Sequence, residues 1–257
     1  MNSMQNLVSV VTGASTPNGI GNAIAKRFAE AGAAVFLVAE GTVAQLELAQ
    51  AECKKYPAAG RIEYGVFDLS ESGAAERMVA EAHKRFGRID VLVNNAGIRS
   101  YNNFGDFSRA EFERSIAVNI AAPFFAGQAV VPLMRAQGGG RIINIASQLG
   151  RVTYDKRAVY GLTKAALIHL TKSMAYELGK DGIVVNSISP GPVKTQPVLD
   201  RMHADPADAQ RRIDSYLPAG RMGEPSEIAE LALFLATTKA TYLQGEDICI
   251  DGGYTNH

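Results

Sequence analysis

Ser147, Tyr160 and Lys164 are residues whose types suit moving a proton on and off an oxygen. A phenol alone is a poor base near neutrality, because its unperturbed pKa is about 10. Lys164 follows Tyr160 by four residues, one helical turn, so its ammonium stands on the same face and can favour the phenolate. A serine hydroxyl brought in from a preceding strand end would hold a carbonyl or alcohol oxygen beside that phenol. Such a set handles the proton while another group moves the hydride, which points to a nicotinamide. Tyr-x-x-x-Lys also arises by chance, so its weight depends on what positions it.

The first positioning element is the apolar run Leu7–Val11, a buried strand that flows into Thr12-Gly13-Ala14-Ser15-Thr16-Pro17-Asn18-Gly19-Ile20-Gly21. A helical pattern follows, with Ala23, Ile24, Phe28 and Ala31 on its apolar side. Strand, glycine-rich turn and helix make a pyrophosphate cradle: glycines allow close backbone approach, and the helix start offers unpaired N–H groups. Gly13, Ser15, Asn18, Gly19, Ile20 and Gly21 are its candidate contacts. Further apolar runs at 34–38, 62–67, 91–94, 141–145, 183–188 and 247–250 alternate with helical patterns near 21–31, 43–56, 73–86, 108–137 (broken near Asn119 and Pro123), 159–178 and 225–236. Repeated strand–helix–strand order with continuous apolar strands predicts one α/β domain over residues 1–257. Its centre is a doubly wound, Rossmann-type parallel sheet of about seven strands with helices on both faces. Glu40, Asp68, Asn95, Ser147 and Pro190 each fall at or just beyond a predicted strand end, where ligands bind in such sheets.

Taken in order, these pieces resemble the short-chain dehydrogenase/reductase family over nearly the whole chain. They are the Thr12-Gly13 turn, Asp68, Asn94-Asn95-Ala96-Gly97, Asn119, Ser147, Tyr160 with Lys164, Pro190-Gly191 and Asp251-Gly252-Gly253. One departure is visible: the family's turn has three residues between its first two glycines, whereas five separate Gly13 from Gly19 here. The resemblance implies reversible hydride transfer between a secondary alcohol or ketone and the nicotinamide. Tyr160 would be the general acid/base, Ser147 would orient the substrate oxygen, and Lys164 would also grip the nicotinamide ribose. Asn119 would anchor a water linking Lys164 to solvent. Asp68 and Leu69 would meet the adenine, Asn95, Ala96 and Gly97 the adenosine ribose, and Val193 and Thr195, after Pro190, the carboxamide.

Glu40 favours NAD over NADP, since a carboxylate after the second strand accepts from ribose hydroxyls and repels a 2′-phosphate, the other reading being a solvated acid at a helix start; the basic residue that NADP-using members commonly carry at this position or in the glycine turn is absent. 3-Oxoacyl-thioester reductases share the catalytic set but generally take NADPH. Enoyl reductases of this fold place tyrosine seven positions before lysine, where Arg157 sits. A non-catalytic dinucleotide sensor would typically lose the tyrosine or the lysine, and both remain.

For the substrate, Arg99 with Arg151, Lys156 and Arg157 suggests cations around the pocket mouth, and Gln148 adjoins Ser147. An anionic substrate is one reading of this cluster and a solvated basic surface the other. The segment 196–217 reads as a short helical lid; of the histidines only His203, in that lid, has a substrate contact as one reading, with surface exposure the favoured one. Lysine plus arginine equals aspartate plus glutamate at 26 each, giving no basic field for nucleic acid or membrane. Cys53 and Cys249 and the four histidines show no metal-ligand spacing. No basic-then-apolar leader opens the chain, so a cytoplasmic location is expected. The run Ser115 to Met134 has membrane-spanning length but carries Asn119, Gln128, Pro123 and Pro132, and reads as a buried helix. The resemblance further implies a homo-oligomer, a tetramer or dimer, paired through helices around 121–137 and 159–178.

Overall fold

Strands that lack a polar face must be covered on both sides, and the burial of β1 (Val8–Thr12) at every position meets that demand. A computed structural model describes residues 3–204 and 206–256. The remaining strands are β2 (Ala34–Ala39), β3 (Ile62–Val66), β4 (Val91–Asn94), β5 (Gly140–Ile145), β6 (Ile183–Pro190) and β7 (Asp247–Ile250). All pair in parallel, in the order β3-β2-β1-β4-β5-β6-β7. The expected doubly wound sheet is therefore present. Its strand order reverses between β1 and β4, which opens a crevice at their carboxyl ends.

The helices are α1 (Ile20–Glu30), α2 (Val43–Lys54), α3 (Ala74–Phe86), α4 (Arg109–Ile116), α5 (Ala122–Ala136), α6 (Ala158–Leu178), α7 (Gln196–Ala204), α8 (Pro206–Tyr216) and α9 (Pro225–Thr237). On one face Ile24 and Phe28 of α1, Leu46 of α2 and Ile228 of α9 bury against Val35, Leu37 and Ile143. On the other, Met78 of α3, Val130 and Met134 of α5 and Leu178 of α6 cover Val10, Phe36, Leu92 and Val185.

Three elements differ from the sequence expectation. β6 runs on to Pro190, so that residue ends the strand rather than following it. The lid is two helices, α7 and α8, and the side chain of His203 lies outside the described residues. The break expected near Asn119 and Pro123 is a widened turn, Ala117–Ala121, that carries α4 into α5 without a change of course. Pro123 falls in the first turn of α5, where a missing N–H is tolerated. The continuous stretch Arg109–Ala136 is long and apolar enough to cross a membrane by length and composition. One side of it packs on α3 and the sheet, while Phe124 and Phe125 remain 44 % and 42 % exposed.

Candidate active site

Tyr160 sits in the first turn of α6 and Lys164 one turn on, both buried. The Lys164 ammonium donates to the Ile145 carbonyl at 2.7 Å, at the end of β5, and lies 5.8 Å from the Tyr160 ring centre. Ser147, two residues past β5, accepts from the Leu149 N–H at 3.2 Å, which leaves its own proton to turn toward the phenol. The turn after Ser147 can approach α6 only because both sides lack side chains. A Cβ on Gly161 would stand 2.8 Å from the Leu149 carbonyl oxygen, and one on Gly150 2.8 Å from the Lys164 backbone. These two glycines are a sequence signal that the motif reading passed over.

Burial alone would raise the Tyr160 pKa. The Lys164 and Arg99 charges, with hydrogen bonds from Ser147 and Arg99, outweigh it and bring the phenol below its ordinary range. For Lys164 burial is also the first cause, and it lowers the ammonium's pKa; Arg99 lowers it further while the phenol opposes. The serine, the phenol and the lysine thus meet as the spacing predicts, joined by a third charge, Arg99.

Two cavities meet at this point. A cleft of about 600 Å³ at the switch point is lined by Gly13, Ser15, Gly19, Ile20, Glu40, Leu69, Asn95, Ala96, Gly97, Ser147, Tyr160, Lys164, Pro190 and Thr195. A second cavity, about 390 Å³, is lined by Gln148, Val193, five tyrosines and apolar residues of α7 and α8. Arg99, Ser147, Tyr160 and Gly191 border both.

The cleft has the features a dinucleotide requires. Gly19 caps α1 with no side-chain bond, so the first N–H groups of that helix face the turn. Gly13 has φ +67°, and a Cβ there would collide with the Asn95 amide at 2.8 Å. That amide donates to the Thr12 and Gly13 carbonyls at 2.7 and 3.2 Å, fastening β4 to the turn across the switch point. The Thr195 hydroxyl is buried without a partner, the state expected of a group kept for a ligand.

Several expected contacts are placed differently. Asp68 does not line the cleft; its carboxylate accepts from the Ser70 N–H and hydroxyl at 2.9 and 2.6 Å, bonds that lower its pKa, and faces Arg114. Asn18 is exposed at the outer lip with φ 54°, and Gly21 packs behind the turn against Asn95 and Gly13. Val193 lines the second cavity rather than the cleft. Asn119 donates to the Ile98 carbonyl and the Thr163 hydroxyl at 2.9 Å each and accepts from the Ile98 N–H at 2.8 Å, which fixes the segment beside Lys164.

Arg151, expected near substrate, instead pairs with Asp247 of β7 at 2.6 Å. Lys156 lies over the Tyr101 ring at 5.6 Å. Arg114, which the sequence did not single out, reaches Glu40 at 2.8 Å, the Ser70 hydroxyl at 2.8 Å and Asp68 at 3.5 Å. The fold thus brings Arg114 beside Glu40 from α4, 74 positions away in the chain.

The family model described as "Enoyl-(Acyl carrier protein) reductase" matches residues 13–255. An uncharacterized oxidoreductase of Thermotoga maritima is 36 % identical over 256 residues, covering 98 % of each chain. A 3alpha-hydroxysteroid dehydrogenase of Mediterraneibacter gnavus is 35 % identical over 258 residues, 97 % of each. The crystal structure of L-sorbose reductase from Gluconobacter frateurii, complexed with NADPH and L-sorbose, superposes with a TM-score of 0.93 at 32 % identity and covers 100 % of both chains. Agreement of this extent, in sequence and in the course of the backbone, can come only from common descent: the chain belongs to the short-chain dehydrogenase/reductase family.

Proposed function

We propose that this protein is an NAD-dependent oxidoreductase that interconverts a secondary alcohol and its ketone. The observation that carries this is the convergence of Ser147 and Tyr160 where the two cavities meet, with Lys164 buried behind them. A bound nicotinamide supplies the hydride acceptor in one direction and the donor in the other. In oxidation Tyr160, as phenolate, takes the hydroxyl proton of the substrate while the carbinol C–H bond breaks and its electron pair leaves with the hydrogen. Ser147 donates to the same oxygen and fixes its place. Lys164 holds the phenolate form. Gly13, Ser15, Gly19 and Ile20 would hold the pyrophosphate, Asn95, Ala96 and Gly97 the adenosine side, Lys164 the nicotinamide ribose, and Pro190 with Thr195 the carboxamide.

The NAD preference rests on charge at the adenosine rim. Glu40 and Asp68 set two carboxylates against the single Arg114 guanidinium, and the excess negative charge disfavours a 2′-phosphate. Enoyl reduction fits less well, because Arg157 occupies the position seven before Lys164. We also propose a homo-oligomer, with the exposed Phe112, Phe124 and Phe125 of α4 and α5 in its interface.

The test is absorbance of reduced nicotinamide while alcohols and hydroxy acids are offered with NAD or NADP. Turnover with NAD that falls by about 10²–10⁴-fold in Tyr160→Phe, while NADH still binds, is the expected result. Full activity in that variant would overturn the assignment.

A further inference from the structure

Arg99 follows the Asn95-Ala96-Gly97-Ile98 run and borders both cavities together with Ser147 and Tyr160. Its neighbours make it unusual. No carboxylate among the described residues pairs with it, whereas Arg27, Arg85, Arg88, Arg114, Arg135, Arg151 and Arg221 each hold one. Among the described residues, none that lines the cavity beyond it is an aspartate or glutamate. Lys164 adds a second positive charge behind the phenol, and the two cations act on the same hydroxyl. With Lys164 balanced by the phenolate that it stabilises, Arg99 is left as a positive group with no carboxylate partner among the described residues, at the rim of a cavity lined mostly by apolar and aromatic residues.

We propose that the missing charge belongs to the substrate, and that Arg99 selects a 2- or 3-hydroxy acid, or the corresponding oxo acid, with an apolar or aromatic tail. This rests on the hydride-transfer reading above. Arg99 lines the rim that both cavities share with Ser147 and Tyr160, beside the place where those two would hold the carbinol oxygen. Its N–H donors would take a carboxylate carried on the carbinol carbon or the next one. A carboxylate further along the molecule would fall against the aromatic wall, where Tyr216 meets Tyr154 edge-to-face at 6.0 Å and Tyr254 at 5.8 Å. Val198 and Met202 of α7 with Ile213 of α8 complete that wall and suit the tail. Arg157, the other cation of the cavity, donates to the Ser100 carbonyl and lies 4.6 Å from the Tyr101 ring centre, bracing the segment that carries Arg99.

The test compares 2-hydroxy-3-phenylpropanoate and 3-hydroxy-3-phenylpropanoate with their methyl esters, using NAD and both the wild-type chain and Arg99→Gln. At least one acid should exceed its ester in kcat/KM by about 10- to 100-fold, the range expected for a hydrogen-bonded charge. Arg99→Gln should collapse that ratio to near one, and Arg99→Lys should restore part of it. Binding of phenylacetate, measured by calorimetry in the presence of NAD, gives a readout without turnover and should be lost with the charge. Acid and ester used equally well, or a preference that survives Arg99→Gln, would overturn the proposal while leaving hydride transfer intact. Phenylacetate binding that depends on Arg99, with no alcohol or acid turned over, would overturn the hydride-transfer reading and leave the anion site standing.

Discussion

Replacing Glu40 by Gln perturbs the adenosine rim with little change of shape, and its effect can be worked from the charges around it. Arg114 is held at 2.8 Å by Glu40 and at 3.5 Å by Asp68, so the three groups together carry one excess negative charge. Glu40→Gln cancels that excess and frees part of the guanidinium. Two unit charges about 4 Å apart interact by about 1 kcal/mol in water and about 4 kcal/mol where the surroundings are half shielded. Glu40 and Arg114 are 57 % and 47 % exposed at their side chains, so an intermediate figure of about 1–3 kcal/mol applies to a 2′-phosphate. That is roughly a 5- to 100-fold shift of the NADP/NAD ratio of kcat/KM toward NADP. Arg114→Gln should move the ratio the opposite way, and the double variant should return near the starting value. Because the charges are exposed, the shift should shrink between about 0.1 M and 1 M salt, as the screening length falls from about 10 to about 3 Å. The assay is initial-rate measurement of both cofactors with one substrate at each salt concentration. A ratio that stays within about twofold in Glu40→Gln, or two single variants that move it in the same direction, would refute the reasoning.

The pH profile of oxidation should respond to Lys164. Its charge helps hold the Tyr160 phenol below its ordinary range, so the rising limb, which follows phenolate formation, should move to higher pH in Lys164→Met; a limb that stays in place would exclude the role. Arg151→Ala should leave KM for substrate unchanged yet destabilise the fold by about 1–3 kcal/mol, because Asp247, 4 % exposed, loses its charged partner and keeps only the Ser187 and Ser189 hydroxyls; thermal unfolding and steady-state kinetics check the two halves. Phe125→Asp should lower the molar mass measured by light scattering if α5 pairs with a second copy, and an unchanged mass would remove that face from the interface.

The sequence alone was enough for the sheet, its strand ends and the pair Tyr160 and Lys164. Those features are written in local pattern: apolar runs too continuous for a half-exposed strand, and a four-residue interval that a helix turns into one face. Ser147 was legible for the same reason, since strand ends collect at one edge of a parallel sheet. What tertiary structure alone decided are partnerships between residues far apart in the chain. Arg114 meets Glu40 across 74 positions, a contact that no local pattern records. Arg151 meets Asp247 across 96 positions and so stays out of the second cavity, while Arg99, with no carboxylate partner among the described residues, lines it. Asp68 turns to Ser70, two residues on, instead of into the cleft. A charged side chain goes to whichever opposite charge or donor the fold brings within reach. Local pattern carries no record of that choice, which is why the proton-transfer chemistry could be read from the chain and the sorting of its arginines could not.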